Sequence, residues 1–241
     1  TGEPVPGTGD PAPTEPAPPV AAPEAVMIIG DSGMYDATPA LRATFTATGT
    51  RTSVEAAFPG LRLTGIDEGG FQWREEWAKS VAEHRPALSI VMIGGFDQPF
   101  LEAEGAEAYA AVLDDLVEVL TAEGGRVVWL SLLPCGADST ALDAVFATLP
   151  ERHPGSVAYL DIGSVFEGCP RTTTDAEGRT VPLRKPDGWH LCPAGAERFA
   201  RHVHAEVADL GWAPPPVESW EDGPWRSEAR FDDPPGGCDP A

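Results

Sequence analysis

Asparagine is missing from all 241 residues, and lysine occurs only at Lys79 and Lys185. No site in this chain can therefore use an asparagine amide. Sixteen Lys and Arg against 38 Asp and Glu leave a net charge of −22. Such a surface repels phosphate backbones and anionic headgroups, which disfavours nucleic-acid and membrane-surface binding. No apolar run is long enough to cross a bilayer, and the N-terminus lacks the basic-then-apolar pattern of a signal peptide. As it stands the sequence reads as a soluble piece, with a leader or membrane segment upstream of residue 1 left open. A Gly-rich phosphate loop is also missing, which argues against a flavodoxin-like nucleotide or phosphate binder. The four cysteines, Cys135, Cys169, Cys192 and Cys238, contain no Cys-x-x-Cys pair. Metal ligation is thus a poor reading, and two disulfides in an oxidising compartment a better one. Three pairings are open.

What is there divides into three parts. Residues 1–25 are mostly Pro, Ala, Gly, Thr and Glu with no aromatic residue, a composition that cannot bury enough apolar surface to fold and predicts an extended tether. Tethers of this kind commonly separate an extracellular domain from an anchor, so the expectation is an exported domain, extracellular or held at the cell surface through its N-terminus. Residues 26–210 carry the folded domain, and residues 211–241 a tail whose Trp212, Trp220, Trp225 and Phe231 are too many for a free linker and predict packing on the domain surface.

Val26 to Ile29 is a short apolar run stopped by Gly30, the pattern of a strand buried on both faces. Further strands are predicted at Arg51 to Ala57, Leu88 to Ile93, Val127 to Leu133 and Val157 to Ile162. Helical spacing occupies Thr38 to Thr48, Phe71 to Arg85, Glu102 to Glu123, Ser139 to Leu149 and Pro193 to Leu210, while Gly163 to Lys185 reads as irregular. This alternation predicts an α/β fold, a three-layer α/β/α sandwich around a central parallel sheet of flavodoxin-like type.

Two clusters carry chemistry. Gly30-Asp31-Ser32 places a serine at the carboxyl end of the first strand, where open parallel sheets bind ligands. There Ser32 can act as a nucleophile, its own N–H available to an oxyanion; the plainer alternative is that Asp31 or Ser32 only caps the next helix. Asp187-Gly188-Trp189-His190 precedes the last helix, a spacing that lets the carboxylate hold one imidazole nitrogen and leaves the other to take a proton. His84, His153, His202 and His204 lie among charged neighbours and read as surface.

Together, these two motifs at the first strand and before the last helix resemble the SGNH (GDSL-type) hydrolases, over Val26 to about Leu210. The resemblance implies Ser32 as nucleophile, His190 as general base and then acid, and Asp187 as the group orienting His190. It also implies an oxyanion hole from the Ser32 amide, a second-block glycine, here Gly60 with Gly69 and Gly70 as rivals, and a third-block asparagine. The matching third block is Gly94-Gly95-Phe96-Asp97, with Phe96 where the asparagine belongs. Loss of one such donor costs on the order of 3 kcal/mol of transition-state stabilisation in other enzymes. Substitute donors are the Gly94 or Gly95 amide, or the Gln98 side chain.

This third block, together with Trp73-Arg74, Trp77 and the phrase from Asp187 to Ala196, looks like the SGNH domains fused to or partnered with membrane acyltransferases of cell-surface polysaccharides. The implied function is a serine-dependent esterase or acyltransferase, acting on an acylated carbohydrate through an acyl-enzyme. A monomer with no metal or cofactor is expected, and a membrane acyltransferase as partner or fused domain. Phe96, Asp97 and Trp189 are the candidate substrate contacts; Arg184 and Lys185 read as a solvated basic pair. The expected disulfides are Cys135–Cys238, stapling the tail, and Cys169–Cys192, bracing the Asp187–His190 turn. A rival reading, motivated by Phe96, is a non-catalytic glycan-binding module on a degenerate fold.

Overall fold

Strand β1 (Ala25–Gly30) has no polar side chain and is buried along its whole length, between β2 (Thr52–Ala57) and β3 (Leu88–Met92). The computed structural model describes residues 20–66, 70–136 and 138–239. Most of the expected tether, and the rival glycine Gly69, lie outside the described residues. Strands β4 (Arg126–Leu130) and β5 (Val157–Leu160) complete a five-stranded sheet in the order β2-β1-β3-β4-β5, every pairing parallel. The chain runs outward from β1 to β2 and then crosses back to β3 on the other side. The carboxyl end of β1 is therefore the topological switch point, where flanking loops diverge and leave a crevice.

The covering helices are α1 (Ser32–Ala47), α2 (Trp73–His84), α3 (Gln98–Thr121, broken at Gly105), the short α4 (Thr140–Phe146) and α5 (Leu149–Arg152), and α6 (Pro193–Asp209). Helix α1 packs on α6, and α2 on α3. Sheet and helices thus form the expected three-layer α/β/α sandwich.

Helix α1 begins six residues before the apolar spacing predicts. Asp31 caps it, Oδ1 accepting the Gly33 N–H at 3.1 Å, and Pro39 lies inside it. Proline has no N–H to give the carbonyl four residues back, that of Tyr35. Arg230 from the tail fills the gap: its Nη1 donates to the Tyr35 carbonyl at 2.6 Å, and its guanidinium lies 4.0 Å from the centre of the Tyr35 ring. A long-range contact thus repairs a local fault in the helix that carries Ser32.

The stretch expected to be irregular contains an antiparallel hairpin of β6 (Thr172–Thr174) and β7 (Thr180–Pro182). Its strands are short, threonine-rich and mostly exposed, so no apolar alternation marks them. Beyond α6 the tail folds back and buries Ala213, Trp220, Trp225 and Phe231, with Trp225 Nε1 donating to the Trp220 carbonyl at 2.7 Å.

The disulfides differ from the expected scheme. They join Cys135 to Cys169 and Cys192 to Cys238, not Cys135 to Cys238 and Cys169 to Cys192. Cys135 and Cys169 lie in the loops beyond the neighbouring strands β4 and β5, their Cα atoms 5.6 Å apart, whereas the tail ends at the start of α6, bringing Cys238 to 5.4 Å from Cys192. Non-reducing peptide mapping should recover these two links and no others. Replacing Cys192 and Cys238 by alanine opens a 46-residue separation and should lower the unfolding free energy in urea by about 4 kcal/mol; an unchanged midpoint would contradict the pairing.

Candidate active site

Ser32 is the first residue of α1, directly beyond β1. A methyl at Gly30 would stand 2.3 Å from both Met34 Cβ and the Met92 carbonyl oxygen, so only glycine lets the chain turn into the helix this close to β3. Amides in the first turn of a helix have no partner within it, and Ser32 offers such an N–H at the positive end of the α1 dipole.

The other half of the site is a tight hairpin. Lys185 N–H donates to the His190 carbonyl at 2.8 Å, Gly188 N–H to the Lys185 carbonyl at 2.9 Å, and Gly188 takes φ +80°, a left-handed conformation open to glycine at no steric cost. Arg171 supports the turn from outside, Nη1 donating to the Pro186 carbonyl at 2.9 Å. Within it Asp187 Oδ1 accepts the Trp189 and His190 amides at 2.8 and 3.0 Å, and Oδ2 lies 2.6 Å from His190 Nδ1. Partial burial raises the Asp187 carboxyl, but the His190 side chain and those two amides outweigh it and hold the group below the usual range. An ionised partner fixes the proton on Nδ1 and leaves Nε2 as the acceptor, a tautomer assigned from the hydrogen bond.

Asp36 joins the two halves. It sits one helical turn after Ser32 and is almost fully buried. Lys185 Nζ donates to Asp36 Oδ1 at 3.0 Å and to the Arg230 carbonyl at 2.8 Å, and the Leu191 N–H donates to Asp36 Oδ2 at 3.1 Å. Residues on both sides of His190 are thus fastened to the Ser32 helix. The expected solvated pair is corrected accordingly: Lys185 is 6% exposed, and Arg184, 3% exposed, gives Nη1 to the Trp189 carbonyl at 2.7 Å while lying 4.5 Å over Phe166. The Leu191 N–H bond to Asp36 brings the residue after His190 against α1, and Asp31 and Asp36, before and after Ser32, both interact electrostatically with His190. No direct hydrogen bond joins Ser32 Oγ to His190 Nε2; such catalytic bonds are often long until substrate binds.

Around these groups the remaining candidates separate. Gly95 backs onto Asp31, where a methyl would sit 3.3 Å from Oδ2, and its amide acts on that carboxylate. Trp189 spans the carboxyl edge of the sheet: a methyl at Gly136 would strike its ring at 2.0 Å, and its far edge reaches 4.0 Å from the Gly95 Cβ position. Phe96, next to Gly95 in sequence, is 50% exposed. Gly60 lies in an exposed turn just past β2 with φ +79°; Gly70 precedes α2.

Asp97 is a correction. It is fully buried, accepts the Leu63 and Thr64 amides at 3.1 and 2.9 Å, the Thr64 hydroxyl at 2.6 Å and the Tyr109 hydroxyl at 3.3 Å, and so has no oxygen left for substrate. It ties the loop after β2 to the start of α3. The Gln98 amide, offered above as a substitute donor, is directed to Glu102 Oε1 at 2.9 Å. Among the described residues no group of three or more His, Cys, Asp or Glu is placed to hold a metal.

Two stability measurements test this geometry. Lys185→Met leaves Asp36 buried without its cation and should cost about 3–5 kcal/mol in urea unfolding; a change below about 1 kcal/mol would contradict the clamp. Burial pushes the Asp31 carboxyl up to about 6, against the pull of Gly33, His190 and Gly95 and with Asp97 adding to the rise. The folded chain therefore holds this proton more tightly than the unfolded chain, and the resulting stability is fully present below the unfolded value near 3.8 and is lost as pH rises through about 6. Asp31→Asn, which preserves the cap, should remove this loss between pH 4 and 6; an unaltered pH slope would contradict it.

The fold has known counterparts. TesA superposes with a TM-score of 0.56 at 18% identity, covering 77% of this chain and 99% of that one. A family 3 carbohydrate esterase from Clostridium thermocellum superposes at 0.55 and 14% identity, covering 78% and 96%. The periplasmic domain of a lipopolysaccharide acetyltransferase from Salmonella ser. Paratyphi A gives 0.50 at 12%, covering 77% and 84%. At these identities the likeness shows a shared fold, the SGNH-type α/β sandwich. No curated protein matches the chain by sequence. The model of the family described as "Protein of unknown function (DUF459)" matches residues 25–206, and the chain belongs to that family.

Proposed function

We propose that this protein is a serine-dependent O-acyl esterase or O-acyltransferase that handles acyl groups, chiefly acetyl, on a cell-surface carbohydrate. The observation that carries the reading is the 2.6 Å Asp187–His190 contact on a hairpin fastened through Asp36 to the helix of Ser32. His190 Nε2 takes the Ser32 hydroxyl proton as Oγ attacks the acyl carbonyl. The oxyanion falls to backbone N–H groups, that of Ser32 at the α1 N-terminus with Gly60 from the loop after β2; the Gly95 amide, first expected to join them, is drawn to the Asp31 carboxylate. As the tetrahedral intermediate collapses, His190 returns the proton to the leaving sugar oxygen, and water or a second hydroxyl then attacks the acyl-enzyme by the same route. Phe96 and Trp189 offer flat apolar faces to the acyl group or a sugar ring.

The missing asparagine predicts a slower enzyme than a full oxyanion hole allows. The named esterase and acetyltransferase counterparts support acyl chemistry on carbohydrate, and the two disulfides support an exported location. A membrane tether through the N-terminus, or a membrane acyltransferase partner, belongs to the same proposal.

Turnover of p-nitrophenyl acetate and labelling by a fluorophosphonate are the tests. Ser32→Ala and His190→Gln should each lower kcat by about 10⁴-fold or more, and Ser32→Ala should abolish labelling. Labelling that survives at another serine would reject the assignment. Glycan binding with neither turnover nor adduct would favour the non-catalytic module that Phe96 motivates. Acetate release with no acylated sugar, when acceptors are present, identifies the esterase.

A further inference from the structure

A cavity of about 770 Å³ opens between the β6–β7 hairpin, the first half of α6 and the tail, and nothing in the reaction above uses it. Four arginines line it together with five acidic side chains, so its formal charge is nearly cancelled in a chain that carries −22. Most of these groups are locked in pairs. Arg179 Nε meets Asp175 at 2.7 Å, Glu197 meets Arg201 at 2.9 Å and Arg226 at 2.7 Å, and Arg201 also meets Glu221 at 3.0 Å. Arg198 is exposed and has no ion-pair partner among the described residues.

Three classes of ligand can be weighed against this lining. A polyanion meets no net positive field and a strongly acidic surround. An apolar ligand meets charged groups that it cannot satisfy. A hydroxyl-rich ligand fits, because each hydroxyl both donates and accepts, and fixed guanidinium and carboxylate forks present donors and acceptors in pairs that match neighbouring hydroxyls. The volume lies within the range of about 300–1,000 Å³ usual for small-molecule sites. Leu183 and Pro193, on the cavity wall, flank in sequence the Lys185–Leu191 hairpin that carries His190.

We propose that this cavity is a sugar subsite that holds neutral, hydroxyl-rich units of a glycan whose acylated unit reacts at Ser32. The acylated substrate rests on the function proposed above; the binding of neutral sugar does not. The test uses the full chain with Arg198→Ala, which removes an unpaired exposed group, and Ala176→Trp, which fills the cavity from the exposed tip of the hairpin. In ¹⁵N NMR titrations with xylohexaose, cellohexaose and chitohexaose, at least one sugar should shift amides of residues 173–181 and 197–201, and Ala176→Trp should abolish those shifts. On partly O-acetylated forms of the bound sugar, Ala176→Trp should lower kcat/KM by about tenfold or more through KM, and Arg198→Ala by a few fold, with p-nitrophenyl acetate turnover unchanged. No shift with any of the three sugars, shifts elsewhere only, or tighter binding of a galacturonic acid hexamer would overturn the subsite. A wild type that binds sugar here yet turns over no ester would overturn the acyl chemistry alone.

Discussion

A single buried carboxylate holds the two halves of the candidate site together. Asp36 takes Lys185 and the Leu191 amide from the loop of His190, while standing on the helix that begins with Ser32. The two contacts span 149 and 155 residues along the chain, and no local preference brings them together. A charge pair taken out of water is costly unless its remaining hydrogen-bonding capacity is met. Here it is met from a third direction, since the Arg230 carbonyl in the tail accepts from Lys185. The same Arg230 supplies the donor that Pro39 removes from α1, and Cys192–Cys238 returns the tail to the start of α6. The tail is thus part of the scaffold that fastens the His190 loop to the helix of Ser32.

The sheet was legible in the sequence because its central strands are short, dominantly apolar runs, broken within β3 only by the small Ser89, and a strand buried on both faces needs such a run. The candidate site was legible for a related reason: Asp187 and His190 meet within one four-residue turn, and Ser32 follows directly on a strand end. What stayed hidden depends on partners distant along the chain. Asp36 looks like an ordinary helix acid until Lys185 is seen against it, and Arg184-Lys185 looks like surface until Phe166 and the Trp189 carbonyl take Arg184 and the tail's Arg230 carbonyl takes Lys185. The start of α1 was obscured by Pro39, whose fault is repaired 191 positions away by Arg230. Cysteine pairing was misread because the tail's path, not spacing, decides which thiols meet. Asp97 was misassigned because adjacency to Phe96 in sequence says nothing about which face of the turn it occupies.

The site is built largely from backbone donors. With no asparagine in the chain and Gln98 engaged with Glu102, the proposed reaction calls on the Ser32 amide and the α1 dipole for negative charge developing on an acyl oxygen. These are fixed in place before substrate arrives, and that preorganisation is what makes such dipoles effective. Phe96, in the place of the asparagine, is an exposed apolar ring. The arrangement suits an acyl group on a sugar, where one end of the ligand is apolar and the other hydroxylated.

The most direct measurement is a crystal structure of the protein after reaction with a methylphosphonate ester, whose phosphorus mimics the tetrahedral acyl centre. The expected result is phosphorus bonded to Ser32 Oγ, His190 Nε2 within about 3 Å of that oxygen, and the phosphoryl oxygen facing the Ser32 amide. Phosphorus on any other side chain, or an imidazole beyond hydrogen-bonding reach of Ser32, would contradict it.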